Sequence, residues 1–68
     1  MFNVNEFKAC IKRKGETQED AARVMGIKPA TLYRKMNGIS DFFRNEIEAF
    51  CVHYNANPDD VFFSNRSA

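Results

Sequence analysis

Residues Thr17 to Gly38, TQEDAARVMGIKPATLYRKMNG, decide how the chain folds. The stretch reads as two short helices joined by a glycine turn. Thr17 is a good N-cap, and Asp20 three residues on completes a shortened capping box. Ala21, Ala22 and Met25 then fall on one helical face, and Gly26 supplies the left-handed residue that ends the helix. Ile27 is an apolar residue in the turn. Pro29 suits the first position of a new helix, because it has no N–H to leave unpaired. Leu32 and Met36 form that helix's apolar stripe, and Gly38 ends it. Lys28, Ala30, Thr31, Arg34 and Lys35 lie off the stripe. A short basic and polar helix braced by another across a tight turn can enter a DNA major groove.

The flanking sequence supplies three more helices. Asn3 with Glu6 offers a capping box for a helix over 4–14, with Val4, Phe7, Cys10 and Ile11 inward and Gly15 as its stop. The central pair is expected at 18–25 and 29–37. A fourth helix over 44–54 packs Ile47, Phe50, Cys51 and Tyr54, leaving Glu46 and Glu48 outside. Asn57-Pro58-Asp59-Asp60 starts a fifth, over 58–63, with a cap, an N1 proline and acids at the positive end. Residues 64–68 are expected to fray. The pattern is all-α: a compact five-helix bundle in a single domain, 1–68. Ala22 should let the third helix approach the second closely, since a larger side chain would force the axes apart.

Composition sets the class. Hydrophobic content of 44% and charged content of 28% are those of a soluble globule. No apolar run approaches the roughly 20 residues that span a bilayer, and no leader sequence is evident, so a cytoplasmic protein is expected. Cys10 and Cys51 are expected to be buried, reduced thiols, since two cysteines and His53 at scattered spacing make no metal site. Neither metal nor cofactor nor small-molecule ligand is implied. No nucleophile–base pair, paired carboxylates or phosphate loop can be identified, so no enzyme is expected. Net charge is only +1, but residues 1–44 hold nine Lys and Arg against five acids and residues 45–68 hold one against four. That is +4 against −3, a basic half and an acidic back.

The stretch resembles the helix-turn-helix of phage Cro and repressor proteins and the small regulators related to them. Thr17-Gln18, Ala22, Gly26, Leu32 and Asn37-Gly38 carry the likeness. FKACIKRKG looks like the family's first helix and NEIEAFCVHYNANPDDVFF like its last two, so the likeness covers about residues 4–63. LYRKMNG, a Phe and then NEI look most like small phage regulators. The departures are specific. Glu16 and Lys35 stand where the family usually has apolar residues, Ala21 where it has a large one, and Ile11 where many relatives carry a phosphate-contacting Arg. Met36 is expected to fill the core in place of Lys35, and Lys12, Arg13 or Lys14 to take over the phosphate contact.

The resemblance implies a regulator that places its third helix in the major groove of double-stranded DNA. Expected base contacts are Lys28, Pro29, Ala30, Thr31 and Arg34. A guanidinium such as that of Arg34 can hydrogen-bond guanine O6 and N7 together, and Ala30 or Thr31 can meet a thymine methyl. Pro29 offers shape alone. Expected phosphate contacts are Gln18 at a helix N-terminus, Tyr33, Lys35, Asn37, Ser40, Arg44 and Lys14. One subunit offers few base contacts, so a homodimer on a partly palindromic operator is expected. Phe42, Phe43, Phe62 and Phe63 are its candidate interface, with folding into the core as the competing role for Phe42 and Phe43, and with one of Phe62 and Phe63 expected to seal the core while the other faces a partner subunit. A Cro-like repressor that works by occupying promoter DNA is the leading expectation. A protein-interaction module on the same scaffold, such as an antirepressor or antitoxin-like partner, is the alternative.

Overall fold

Helices form where the chain supplies both a start and a stop. The computed structural model describes residues 1–64, with α1 (Val4–Arg13), α2 (Gln18–Met25), α3 (Pro29–Met36), α4 (Arg44–Tyr54) and α5 (Pro58–Val61). Asn3 Oδ1 accepts from the Glu6 N–H at 3.1 Å, and Asn57 Oδ1 from the Asp59 N–H at 2.9 Å. The capping box of α2 is complete: Thr17 Oγ1 accepts from the Asp20 N–H, and the Asp20 carboxylate accepts from the Thr17 N–H. Gly26 and Gly38 take the left-handed conformation, at φ 74° and 78°. Each turns the chain so that the next residue's N–H reaches back five positions, Ile27 to the Ala22 carbonyl and Ile39 to that of Arg34.

Three helices are shorter than their sequence pattern suggests, α1 by its last residue, Lys14. α3 stops at Met36 and α5 at Val61, so Phe62 and Phe63 leave the helix pointing in different directions. Ser64, expected to fray, donates its N–H to the Met1 carbonyl at 3.0 Å; the rest of the expected tail, 65–68, lies outside the described residues. Among the described residues no helix is long and apolar enough to cross a membrane.

The core is aromatic. Phe7 of α1 and Phe50 of α4 stack at 4.5 Å, and the rings of Phe2, Phe42, Phe62 and Tyr54 close around them. Rings offset or edge-on at such distances add to the burial of their area. Leu32 and Val61 complete the buried centre. Ala21 and Ala22 are fully buried in α2, which packs against α1, α3 and α4, so the small residues set how near those helices come. Val4, expected inward, is 36% exposed, and Cys51 is only half-buried. Both thiols are free, and burial pushes both of their pKa values up.

The core also holds an ion pair. Lys35 and Glu46 are both buried, where an exposed lysine and an outward glutamate were expected. The Lys35 ammonium donates to Glu46 Oε1 at 2.8 Å, to Oε2 at 3.0 Å and to the Asp41 carbonyl at 3.1 Å. It also lies 3.9 Å from the centre of the Phe43 ring. Glu46 Oε1 in turn accepts the Phe43 N–H that opens α4. Lys35 keeps the core position itself by satisfying its charge there, and Met36 is half-buried beside it. The other polar departure is handled similarly. Glu16 accepts from the Tyr54 hydroxyl at 2.8 Å and sits 3.1 Å from His53 Nε2, joining the α1–α2 loop to the end of α4.

Removing one buried ion strands the other. Lys35→Met should lower the unfolding free energy by about 3–5 kcal/mol, because the Glu46 carboxylate loses its counterion. Lys35→Met with Glu46→Gln should recover most of that loss, as read by urea denaturation. A second test uses pH. The hydrogen bonds from Tyr54 and then His53 hold the Glu16 carboxyl below its ordinary 4.5. Its contribution is therefore complete above the unfolded value and disappears as pH falls through the lower folded one. The melting-temperature advantage of the wild type over Glu16→Gln should hold at pH 6 and shrink below about pH 4.5.

Candidate nucleic-acid interface

The eight residues of α3 divide by exposure. Leu32 and Lys35 are buried, with Thr31 and Met36 half-buried beside them. Pro29, Ala30, Tyr33 and Arg34 are exposed, and Asn37 continues the row just past the helix. Ala30, Tyr33, Arg34 and Asn37 are spaced three, one and three apart, which places them on one helical face. Lys28 stands exposed at the N-cap, with no side chain capping the helix. Pro29 has no N–H to offer, so the Ala30 and Thr31 N–H groups are the free donors at that end. Four of the five residues expected to touch bases are thus exposed together, and Thr31 lies at the edge of that face. Tyr33, expected at its border, is 66% exposed and sits between Ala30 and Arg34.

Partners decide which cations can serve an external anion. Arg13 pairs with Glu6 at 3.0 Å, Arg23 with Asp20, and Lys35 with Glu46. Lys14 donates to the His53 carbonyl at 2.6 Å, so its ammonium is engaged at the end of α4 instead of standing free as a phosphate contact. Arg44 faces Glu48 at 3.8 Å with both side chains largely exposed, a contact worth little in water. The side chains of Lys8, Lys12, Lys28 and Arg34 have no ion-pair or hydrogen-bond partner among the described residues.

Two of those free lysines share a cleft. Lys8 and Lys12, one turn apart on α1, line a shallow depression of about 270 Å³ with Ile11, Glu16 and Gln18. Ile11 is buried, and the Glu16 carboxylate is occupied by Tyr54 and His53. Gln18 is the exposed first residue of α2, where backbone N–H groups lack a helical acceptor. Of the run Lys12-Arg13-Lys14, Lys12 alone has a side chain without a partner among the described residues. Lys8 was not among the expected phosphate contacts; its spacing of four from Lys12, off the Phe7–Ile11 face, is the signal that marks it.

The remaining expectations divide. Lys35 is buried and cannot reach a phosphate, because its charge is spent on Glu46. Asn37 donates its side-chain amide to the Tyr33 carbonyl at 2.9 Å, while Ser40 and Arg44 are exposed. Phe62 is not a surface residue: it is 6% exposed among Phe2, Phe7, Phe42 and Phe50. Phe42 is half-buried in the same cluster and belongs to the core. Phe43 and Phe63 remain, at 62% and 55% exposed. Phe63 lies with Phe42, Ile47, Pro58, Arg44 and Glu48 along a groove between α4 and α5.

No curated protein and no solved structure matches the chain. A family model described as a helix-turn-helix domain matches residues 6–61, from the first helix through the last. The chain belongs to that helix-turn-helix domain family, with α2, the Gly26 turn and α3 as its two-helix unit.

Proposed function

We propose that this protein is a sequence-specific DNA-binding transcriptional regulator, a Cro-like repressor acting in the cytoplasm of a bacterial host. The observation that carries the reading is the outward face of α3. Lys28, Pro29, Ala30, Tyr33 and Arg34 are exposed together, and two of them are cations whose side chains have no partner among the described residues. α3 enters the major groove with Arg34 directed at a guanine and Ala30 and Thr31 at thymine methyls. Lys8, Lys12 and Gln18 hold the sugar-phosphate strand on the α1–α2 side, and Ser40, Arg44 and Asn37 hold it after α3. Repression follows from occupying the promoter.

The protein works as a homodimer on a partly palindromic operator, its two α3 helices about 34 Å apart. Phe63 and the groove it lines with Phe42, Ile47 and Pro58 form the contact. Arg44 lies at one side of that groove, and Asp59 and Asp60 follow Pro58 on α5. A twofold arrangement seats each copy's Phe63 against the other's groove, so the exposed apolar area favours a second copy.

On duplexes enriched by the protein from a random pool, Arg34→Ala should cost about 1–3 kcal/mol and relax preference at one base position. Lys12→Ala should weaken all sequences alike and reduce the slope of log affinity against log salt by about 1. Binding indifferent to salt, or capture of an acidic protein in place of DNA, would instead support the interaction-module reading. Phe63→Ser should shift sedimentation toward monomer and weaken operator binding while leaving the helical content unchanged.

A further inference from the structure

The buried Lys35–Glu46 pair does more than fill space. α3 is eight residues long, with Leu32 as its one buried apolar side chain. Met36, one turn on, is half-buried against the same core, but apolar anchors fix where a helix lies better than its exact roll about its axis, since hydrophobic contact has no directional requirement. Hydrogen bonds do have one. Three residues on from Leu32, the Lys35 ammonium is bound by both Glu46 oxygens, the Asp41 carbonyl and the face of Phe43. Glu46 is itself held at the start of α4 by the Phe43 N–H at 2.8 Å. One arrangement satisfies all of these contacts, and it ties α3 to both the loop after it and α4.

Arg34 is the next residue back along α3 and faces outward. Roughly 10° of roll carries a head group at ~6 Å radius through ~1 Å, enough to break a bidentate contact with a base edge. We infer that Lys35 and Glu46 are positioning residues for sequence discrimination: their buried pair sets the roll of α3 and so decides which base edges Tyr33 and Arg34 meet, without either touching DNA. This rests on the proposed DNA-binding reading. An apolar pair of similar volume would keep the fold but release the roll.

The test compares two duplexes at one salt concentration: the sequence the wild type enriches from a random pool, and a scrambled duplex of the same composition. Lys35→Met with Glu46→Gln removes both charges and retains an acceptor for the Phe43 N–H. Its circular dichroism should match the wild type. Its affinity for the scrambled duplex should stay within about twofold, while the enriched-to-scrambled ratio falls at least ~10-fold, the value of one good base contact. Glu46→Asp is the second variant, for use whether or not the first folds. It keeps both charges, and Asp20 already performs the same capping role at the third position of α2. Shortened by one methylene, it should lower the ratio several-fold or shift the preferred base. An unchanged ratio in a folded variant overturns the inference, as does an equal loss on both duplexes. Enrichment of no duplex by the wild type overturns the DNA-binding reading itself, and the inference with it.

Discussion

A lysine ammonium withdrawn from water has to recover its hydrogen bonds inside the protein, and that requirement fixes where three segments of this chain meet. Lys35 brings α3, Glu46 brings α4, and the Asp41 carbonyl and Phe43 bring the loop between them. Such an arrangement adds little net stability, because the cost of desolvating both ions offsets most of their attraction. What it adds is geometric. An aliphatic residue at 35 would be satisfied by any packed neighbour, whereas the ammonium is satisfied by one. The loop between α3 and α4, which carries the exposed Ser40, is held by the same contact.

The rest of the domain compensates for its size with rings. A chain near 60 residues buries only about 60% of the surface its unfolded form exposes, so each buried group has to cover a large area. Phe2, Phe7, Phe42, Phe50, Phe62 and Tyr54 supply that area from five different segments, including the stretch before α1 and the turn after α5. The Asn3 N–H donates to the Val61 carbonyl at 2.7 Å, pinning the start of the chain against α5 where these rings converge. α2 contributes one large buried side chain, Met25, beside two small ones. Its buried alanines let α3 and α4 come close enough for Leu32 to reach the centre and for Lys35 to reach Glu46.

Local chemistry was readable from the residues and long-range pairing was not. The helix starts at Asn3, Thr17 and Asn57 and the left-handed stops at Gly26 and Gly38 depend on neighbours within a few positions, so the five helices could be placed closely. Lys35 and Glu46 lie eleven positions apart, and each alone reads as a solvated charge. The same holds for Glu16, whose partners Tyr54 and His53 are nearly forty positions away. Phe42 and Phe43 stayed undivided because an irregular loop has no period to assign faces. That one of Phe62 and Phe63 turns inward was legible but not which, because α5 ends before them and the turn that follows sends Phe62 inward and leaves Phe63 outside.

The same distinction governs the charged surface. A count gives residues 1–44 an excess of +4, yet an excess does not say which cations are available. Arg13 and Arg23 spend their charge on acids of their own helices, Lys14 on a carbonyl of α4, and Lys35 on Glu46. The cations left without partners among the described residues divide into two pairs, Lys8 with Lys12 on α1 and Lys28 with Arg34 at the two ends of α3's outward face. A cation already bound must break that contact before it can neutralise a phosphate, whereas an unpaired one gives up only water and counterions. The internal contacts therefore narrow a diffuse basic half to these two pairs and Arg44, whose exposed contact with Glu48 is weak. It is that narrowing, more than net charge, that gives the domain a direction in which to meet a polyanion.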